Sequence, residues 1–139
     1  MRTKIVVPKG RQYETNKNLI VKPYFEDMFI PLCAADIVVS RAGSVSLSEI
    51  CLSSSPSILI PYPHAAQDHQ RKNAKKMVEI GASLYLEDAQ CNGDNLLDEI
   101  KCLIYDPDKL ESMSQAASNA AKRDGAEQIL KQLKSIVKK

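Results

Sequence analysis

The sequence predicts an α/β domain, a parallel sheet with helices packed on its faces. Two observations carry that expectation. Short β-rich apolar runs alternate with helical stretches as far as Glu87, the order that builds a parallel sheet. One run, "DIVVS" (Asp36–Ser40), is continuously apolar rather than alternating, as a parallel strand covered on both faces would be.

The elements follow in order. "KIVV" (Lys4–Val7) is a first strand, ended by Pro8 and Gly10. "NLIVKPYF" (Asn18–Phe25) is a second. "EDMFIPLCAA" reads as a short helix with Pro31 in its early part, where proline is tolerated. "DIVVS" is the third strand and "SVSLSEICLSS" (Ser44–Ser54) a helix. "SILIPYP" is a fourth strand, ended by prolines. "QDHQRKNAKKMVEIG" (Gln67–Gly81) is a helix stopped by its glycine. "ASLYLE" is a fifth strand. From Asn92 onward three helices are expected, "GDNLLDEIKCLIYD", "PDKLESMSQAASNAA" and "GAEQILKQLKSIV", punctuated by Pro107 and Gly125.

The bulk numbers narrow the function classes. A chain of 139 residues implies one domain. Nineteen basic against seventeen acidic residues leave a formal charge of +2, which gives no electrostatic argument for nucleic acid. The 44% hydrophobic content suits a globular core. No apolar run is long enough to span a bilayer, and "MRTKIVVPKG" lacks the apolar stretch of a signal peptide. Cys33, Cys51, Cys91 and Cys102 have no CxxC spacing, so buried free thiols in a reducing compartment are expected. The basic tail "KSIVKK" reads as a solvated helix end.

In an open parallel sheet, ligands bind beyond the carboxyl ends of the strands. Three segments fall there: Tyr24–Met28, Arg41–Glu49 and Pro61–Asn73. In "RAGSVSLSEI", Gly43 allows a close turn, and Ser44 or Ser46 can cap the helix that follows. A helix amino end offers free N–H groups and partial positive charge, which suits a phosphate. Leu47, Ile50 and Cys51 share one helix face, while Ser46, Glu49 and Ser53 share another. Glu49 therefore points away from the core. Its carboxylate can accept two hydrogen bonds from a vicinal diol such as a ribose, or it can simply complement the helix dipole.

In "PYPHAAQDHQRKNA", His69, Gln70 and Asn73 form one stripe at a helix start. Amide side chains both donate and accept, which suits neutral sugar hydroxyls. Asp68 is a candidate cap or sugar contact. His64 can be a ligand, a base, or a loop histidine bonded to backbone. His64, Asp68 and His69 lack an evident fourth metal ligand, so no metal is expected. Neither GxSxG nor GxxxxGK[ST] occurs.

Taken together, "FEDM", "ADIVVSRAGSVSLSEI", "PSILIPYPHAAQDHQRKNA" and "GAS" resemble the carboxyl-terminal, donor-binding domain of the MurG-type UDP-N-acetylglucosamine transferases, glycosyltransferase family 28. The resemblance runs from about Gly10 to the end of the chain, with Asp36 to Ala74 the specific block by motif order and spacing. It implies a Rossmann-like sheet forming the carboxyl-terminal half of a GT-B enzyme. It also implies inverting transfer of N-acetylglucosamine from UDP-GlcNAc onto lipid I, giving lipid II in peptidoglycan synthesis. By motif position, Ser44, Val45 and Ser46 would lie at the diphosphate, and Glu49 would hold the ribose hydroxyls. Phe25 would contact the uracil through its backbone, and Met28 would flank the base. Gln70 and Asn73 would bind the sugar, with Asp68 and His69 close by. Arg41 would either touch phosphate or order the loop, and Gly43 and His64 complete the donor-binding set. The donor UDP-GlcNAc is a substrate, and no cofactor or metal is implied.

The departures from the family are also informative. Its enzymes have two domains and more than twice this length, and the amino-terminal domain carries the acceptor site and the proposed catalytic base. No catalytic residue is therefore expected within residues 1–139, which read as a single partial domain, inactive on its own. The chain begins at what would be the domain's second strand. In a sheet of order 3-2-1-4-5-6 the absent first strand is central. Its loss should separate "KIVV" and "NLIVKPYF" from the other three strands and expose apolar edges. The sheet would close over the gap, be filled by a partner chain or a second copy, or belong to an unstable fragment. The partners implied are a UDP-sugar and the missing acceptor domain or a partner chain, with no nucleic acid. Membrane contact would come only through the lipid acceptor, placing the whole enzyme in the cytoplasm against the inner face of the plasma membrane. Two alternatives stay open: a stand-alone UDP-sugar-binding subunit of an Alg13-type two-chain transferase, or an inactive truncation.

Overall fold

The computed structural model describes residues 3–6, 19–22, 24–121 and 134. Five strands and five helices are present among them: β1 (Thr3–Val6), β2 (Leu19–Lys22), α1 (Phe29–Cys33), β3 (Val38–Ser40), α2 (Ser44–Leu52), β4 (Ser57–Leu59), α3 (His69–Glu79), β5 (Ser83–Tyr85), α4 (Gly93–Ile104) and α5 (Pro107–Ala120). The helix expected over "GAEQILKQLKSIV" lies outside the described residues except Lys134.

All strand pairing is parallel. β1 pairs with β2, and separately β3–β4–β5 form a three-stranded sheet with β4 in the middle. Among the described residues the first two strands are therefore separate from the other three, as expected. Within the three-stranded sheet, Ser57 faces Val38 on one side and Ser83 on the other. The buried Ser57 and Ser83 hydroxyls hydrogen-bond to each other at 2.6 Å, so neither is left unsatisfied in the core.

The strand period of two sorts β4 into two cores. Leu59 faces a cluster with Ala42, Ile50, Cys51, Ala74, Met77, Ala82 and Ala117. Ile58 and Ile60 face Leu86, Leu103 and Met113. α5 serves both layers, since Met113 and Ala117 fall in different clusters. Burying a residue such as Leu59 contributes roughly 1.5–3 kcal/mol, and Leu59 is fully buried. Burial raises the pKa of the Cys51 thiol in this core, consistent with an inert, packed cysteine. All four cysteines are free, but against expectation only Cys51 is buried, while Cys33 and Cys102 lie on exposed helix positions and Cys91 is half-buried.

β3 departs from its expected two-sided cover. Ile37 and Val38 pack on the two clusters, but Val39 is 41% exposed. The reason is topological. Among the described residues β3 is paired only with β4, so its other edge carries no strand.

α2 and α3 are placed by the expected stripes. Ile50 and Cys51 are buried on α2, with Leu47 packed against their cluster. Ala74 and Met77 are buried on α3. Gly81, at φ +78°, ends α3 in the left-handed conformation that glycine adopts without penalty, as the sequence predicted.

Candidate functional site

Because β3, β4 and β5 run parallel, the segments after them share one edge of the sheet. Side-chain contacts tie these segments together. Arg41, just past β3, donates from Nη1 to the carbonyls of Ile60 and Pro61, at 3.2 Å each, and ion-pairs with Asp88 beyond β5. Its guanidinium lies 5.8 Å from the Tyr62 ring centroid, within cation–π range. Of the two roles open to Arg41, loop ordering is the one these contacts describe.

The amino end of α2 corrects one expectation. Neither Ser44 nor Ser46 caps the helix. Ser44 is already its first residue, and Gly43 occupies the cap position, where no side chain can bond to the first turn. The first helical bond runs from the Leu47 N–H to the Gly43 carbonyl, leaving the amides of Ser44, Val45 and Ser46 without a cap. The glycine is not needed for the turn itself. Its φ is −70°, open to any residue, and an added Cβ would meet nothing within 4 Å. What its bareness provides is access to the three amides from outside. Of the serines in this stretch, Ser48 is turned back onto the Ser44 carbonyl at 2.9 Å and Ser53 onto the Glu49 carbonyl at 2.9 Å. Glu49 is half-buried one turn into the helix.

The amino end of α3 is built differently. The helix starts at His69, two residues later than expected. Gln67 (φ 51°) and Asp68 (φ 57°) are both left-handed, a conformation that costs roughly 1–2 kcal/mol per residue without glycine. Asp68 holds the cap position but makes no cap hydrogen bond, because its carboxylate accepts from Arg71 Nη1 at 3.1 Å instead. Arg71 also donates from Nε to the Tyr85 hydroxyl and from Nη2 to Glu87, each at 3.2 Å. Tyr85 donates to the other Glu87 oxygen. These bonds, Tyr85 first, raise the pKa of Arg71 further above its already high ordinary value. Hydrogen bonds from Tyr85 and then Arg71 hold the Glu87 carboxyl below the ordinary carboxylate range. Burial, followed by its hydrogen bond to Glu87, pushes the Tyr85 phenol up.

The stripe expected at this helix start is present. His69, Gln70 and Asn73 all lie in the first two turns of α3. Gln70 Oε1 accepts from the Tyr62 N–H at 2.9 Å, which leaves its NH₂ as the outward-facing function. Asn73 Nδ2 donates to the Ala42 carbonyl at 3.2 Å, leaving its amide oxygen as acceptor. That bond sets the start of α3 beside the start of α2. His69 Nδ1 bonds the Ala66 carbonyl, so Nδ1 carries the proton and Nε2 accepts. His64, for which ligand, base and backbone-bonded roles were all open, meets the Tyr62 ring edge-on, with centroids 5.6 Å apart. Proline-flanked and exposed, its ring finds the neighbouring aromatic rather than a carbonyl.

Phe25 and Met28 have local surroundings. The Lys22 ammonium lies 5.5 Å from the Phe25 ring, and Met28 occupies the position before α1. α1 packs against α2, and Ser55 Oγ donates to the Leu32 carbonyl at 3.1 Å across that contact. Sequence reasoning missed Arg71, Tyr85, Glu87 and Asp88. The available signal was positional, since "YLED" ends the fifth strand on the same edge as the three segments considered.

Comparison with known proteins fits this geometry. A family model described as the glycosyltransferase family 28 C-terminal domain matches residues 4–129. A relative from Desulforamulus reducens, named UDP-N-acetylglucosamine--N-acetylmuramyl-(pentapeptide) pyrophosphoryl-undecaprenol N-acetylglucosamine transferase, is 38% identical over 128 residues. That match covers 92% of this chain and 34% of the relative. A relative of the same name from Francisella philomiragia is 40% identical, covering 86% of this chain and 32% of its own length. The chain thus spans about a third of the length of these curated relatives. Among solved structures, Acinetobacter baumannii MurG superposes with a TM-score of 0.73 at 24% identity, over 86% of this chain and 35% of that one. The spinosyn forosaminyltransferase SpnP superposes with a TM-score of 0.78 at 14% identity, over 99% and 35%. The fold is the α/β parallel-sheet architecture of the GT-B glycosyltransferases.

Proposed function

The chain belongs to the glycosyltransferase family 28 C-terminal domain family, and on that premise we propose that it is the donor-binding portion of a UDP-N-acetylglucosamine-dependent transferase. The observation that carries this reading is the bare amino end of α2 set against the polar first turns of α3, joined by the Asn73–Ala42 bond. In this reading the amides of Ser44, Val45 and Ser46 receive the diphosphate, and Gly43 lets it approach. Glu49 accepts from the two ribose hydroxyls. The Gln70 NH₂ and the Asn73 amide oxygen take sugar hydroxyls, with His69 Nε2 beside them, while the Phe25 backbone contacts the uracil and Met28 flanks it.

The chemistry is direct displacement at the anomeric carbon with inversion. The bond to the UDP oxygen breaks as the acceptor oxygen attacks from the opposite face. Charge gathering on the departing UDP is met by the α2 amides, already oriented before the reaction. No metal is invoked. The base that takes the acceptor proton comes from an acceptor-binding portion beyond these residues or from a partner chain. By the name its relatives carry, the acceptor is N-acetylmuramyl-(pentapeptide) pyrophosphoryl-undecaprenol, so the whole protein makes lipid II from lipid I. It does so at the cytoplasmic face of the membrane that holds that lipid.

Calorimetric titration of the chain with UDP-GlcNAc, UDP-glucose and UDP tests the donor site. UDP compounds are expected to bind, with UDP-GlcNAc preferred, and Glu49→Ala to weaken all three by about tenfold or more, ~1.4 kcal/mol. A folded chain that binds none of them would overturn the reading.

A further inference from the structure

We propose that Tyr85, Glu87 and Arg71 form a positioning clasp that holds the first turn of α3 in its sugar-binding geometry. The inference rests on the donor-site reading above and extends it to residues that touch no part of the donor.

Three observations converge on it. The residues before α3, Gln67 and Asp68, are consecutive non-glycines in the left-handed region, a conformation that persists only when surrounding contacts over-determine it. Asp68 spends its carboxylate on Arg71 rather than on the helix amides it precedes. Arg71 then uses two further donors on Tyr85 and Glu87, which close the ring by bonding each other. A planar guanidinium fork suits such a junction because its donors are fixed relative to one another. Tyr85 belongs to β5, which pairs with the buried central strand. The clasp thus anchors the strained turn to the rigid sheet.

What the clasp holds is the presentation of His69, Gln70 and Asn73. Arg71 lies between Gln70 and Asn73 in the same helical turns. A shift of the 67–68 turn moves the Gln70 amide away from the Tyr62 N–H that now fixes it. The amino end of α2 keeps a tie that uses none of the three clasp residues, through Arg41 to the carbonyls of Ile60 and Pro61. Loss of the clasp should therefore degrade recognition of the sugar and leave recognition of UDP in place.

The test uses Tyr85→Phe and Glu87→Gln, which keep side-chain size, with Glu79→Gln on the exposed end of α3 as control. Two quantities are read in each: the ratio of the UDP to the UDP-GlcNAc dissociation constants, and amide hydrogen exchange over residues 66–73 without ligand. The clasp predicts exchange faster by about tenfold in that segment alone. It also predicts that the ratio falls to near one while UDP affinity stays within about twofold. A purely structural role would lower the thermal midpoint and weaken UDP and UDP-GlcNAc alike. Unchanged exchange, or an unchanged ratio, would overturn the proposal. If the unaltered chain binds no UDP compound, it is the donor-site reading that has failed, and exchange alone decides whether the clasp exists.

Discussion

The two helix starts that face each other across this site are made by opposite means. α2 begins at a bare glycine in ordinary backbone conformation, with no side chain spent on its first turn. α3 begins after two strained residues pinned by an arginine, a tyrosine and two carboxylates. In the proposed donor-site reading, the difference follows from what each end must offer. A diphosphate can be met by backbone N–H groups, whose direction is fixed by the helix itself. A neutral sugar needs side-chain amides at set positions, and these must be aimed by their neighbours. The first end gains by having nothing added, the second by having much.

The comparison breaks most sharply at Gly43. Gly43→Asp adds a Cβ that meets nothing within 4 Å and a carboxylate at the cap position, able to bond the first-turn amides and complement the helix dipole. Stability should rise by about 0.3–1 kcal/mol, read from the denaturation midpoint. UDP affinity should fall by about a hundredfold, ~2.7 kcal/mol, because the amides are occupied and the new charge repels the ligand. A variant that is destabilised, or that still binds UDP, would show that the bareness of this position has another cause.

At the other helix start the sign reverses. Gln67 sits at φ 51°, where glycine carries no Cβ penalty. Gln67→Gly should stabilise the fold by up to ~1 kcal/mol, less the entropy that glycine loses on folding. Denaturant unfolding with an unchanged slope would read this directly. Destabilisation instead would mean that the Gln67 side chain itself supports the turn.

Which of these features the sequence disclosed depends on whether their cause was local. The alternation of strands and helices, the α2 stripe of Leu47, Ile50 and Cys51, and the Gly81 stop were legible because each is set by residues a few positions apart. The stripe of His69, Gln70 and Asn73 was legible for the same reason. The cap of α2 was misread because serine is the better cap by preference, and only the backbone shows that Gly43 holds the cap position. The start of α3 was misread because no residue pattern marks Gln67 and Asp68 as left-handed. The Arg71–Glu87 and Arg41–Asp88 pairs were invisible, since their members are sixteen and forty-seven residues apart. Charge pairs across strands leave no periodic trace. The open edge of β3 likewise depends on topology, not on the composition of "DIVVS".

The smallest effect is also the most selective, because acidity should act on one helix start and spare the other. Tyr85 and Arg71 hold the Glu87 pKa below the ordinary carboxylate range. For a depressed carboxyl, the stabilisation is fully present above the unfolded-state value and is lost as pH falls through the folded one. From neutral pH down to the ordinary carboxylate range, exchange over residues 66–73 should therefore follow only the intrinsic amide rate. Below that range, protection should drop as Glu87 takes a proton and releases Arg71. At the alkaline end the raised Tyr85 phenol gives the converse. Its contribution is fully present below the unfolded-state phenol value and is lost as pH rises through the higher folded one. The first turn of α2 has no side-chain cap to titrate, so the protection of Leu47 should not change with the acid step. Glu87→Gln should abolish the step in 66–73 while leaving α2 as it was. If both helix starts loosened together in acid, the titration would report the fold as a whole, and the contrast between a bare end and a clasped end would lose its physical basis.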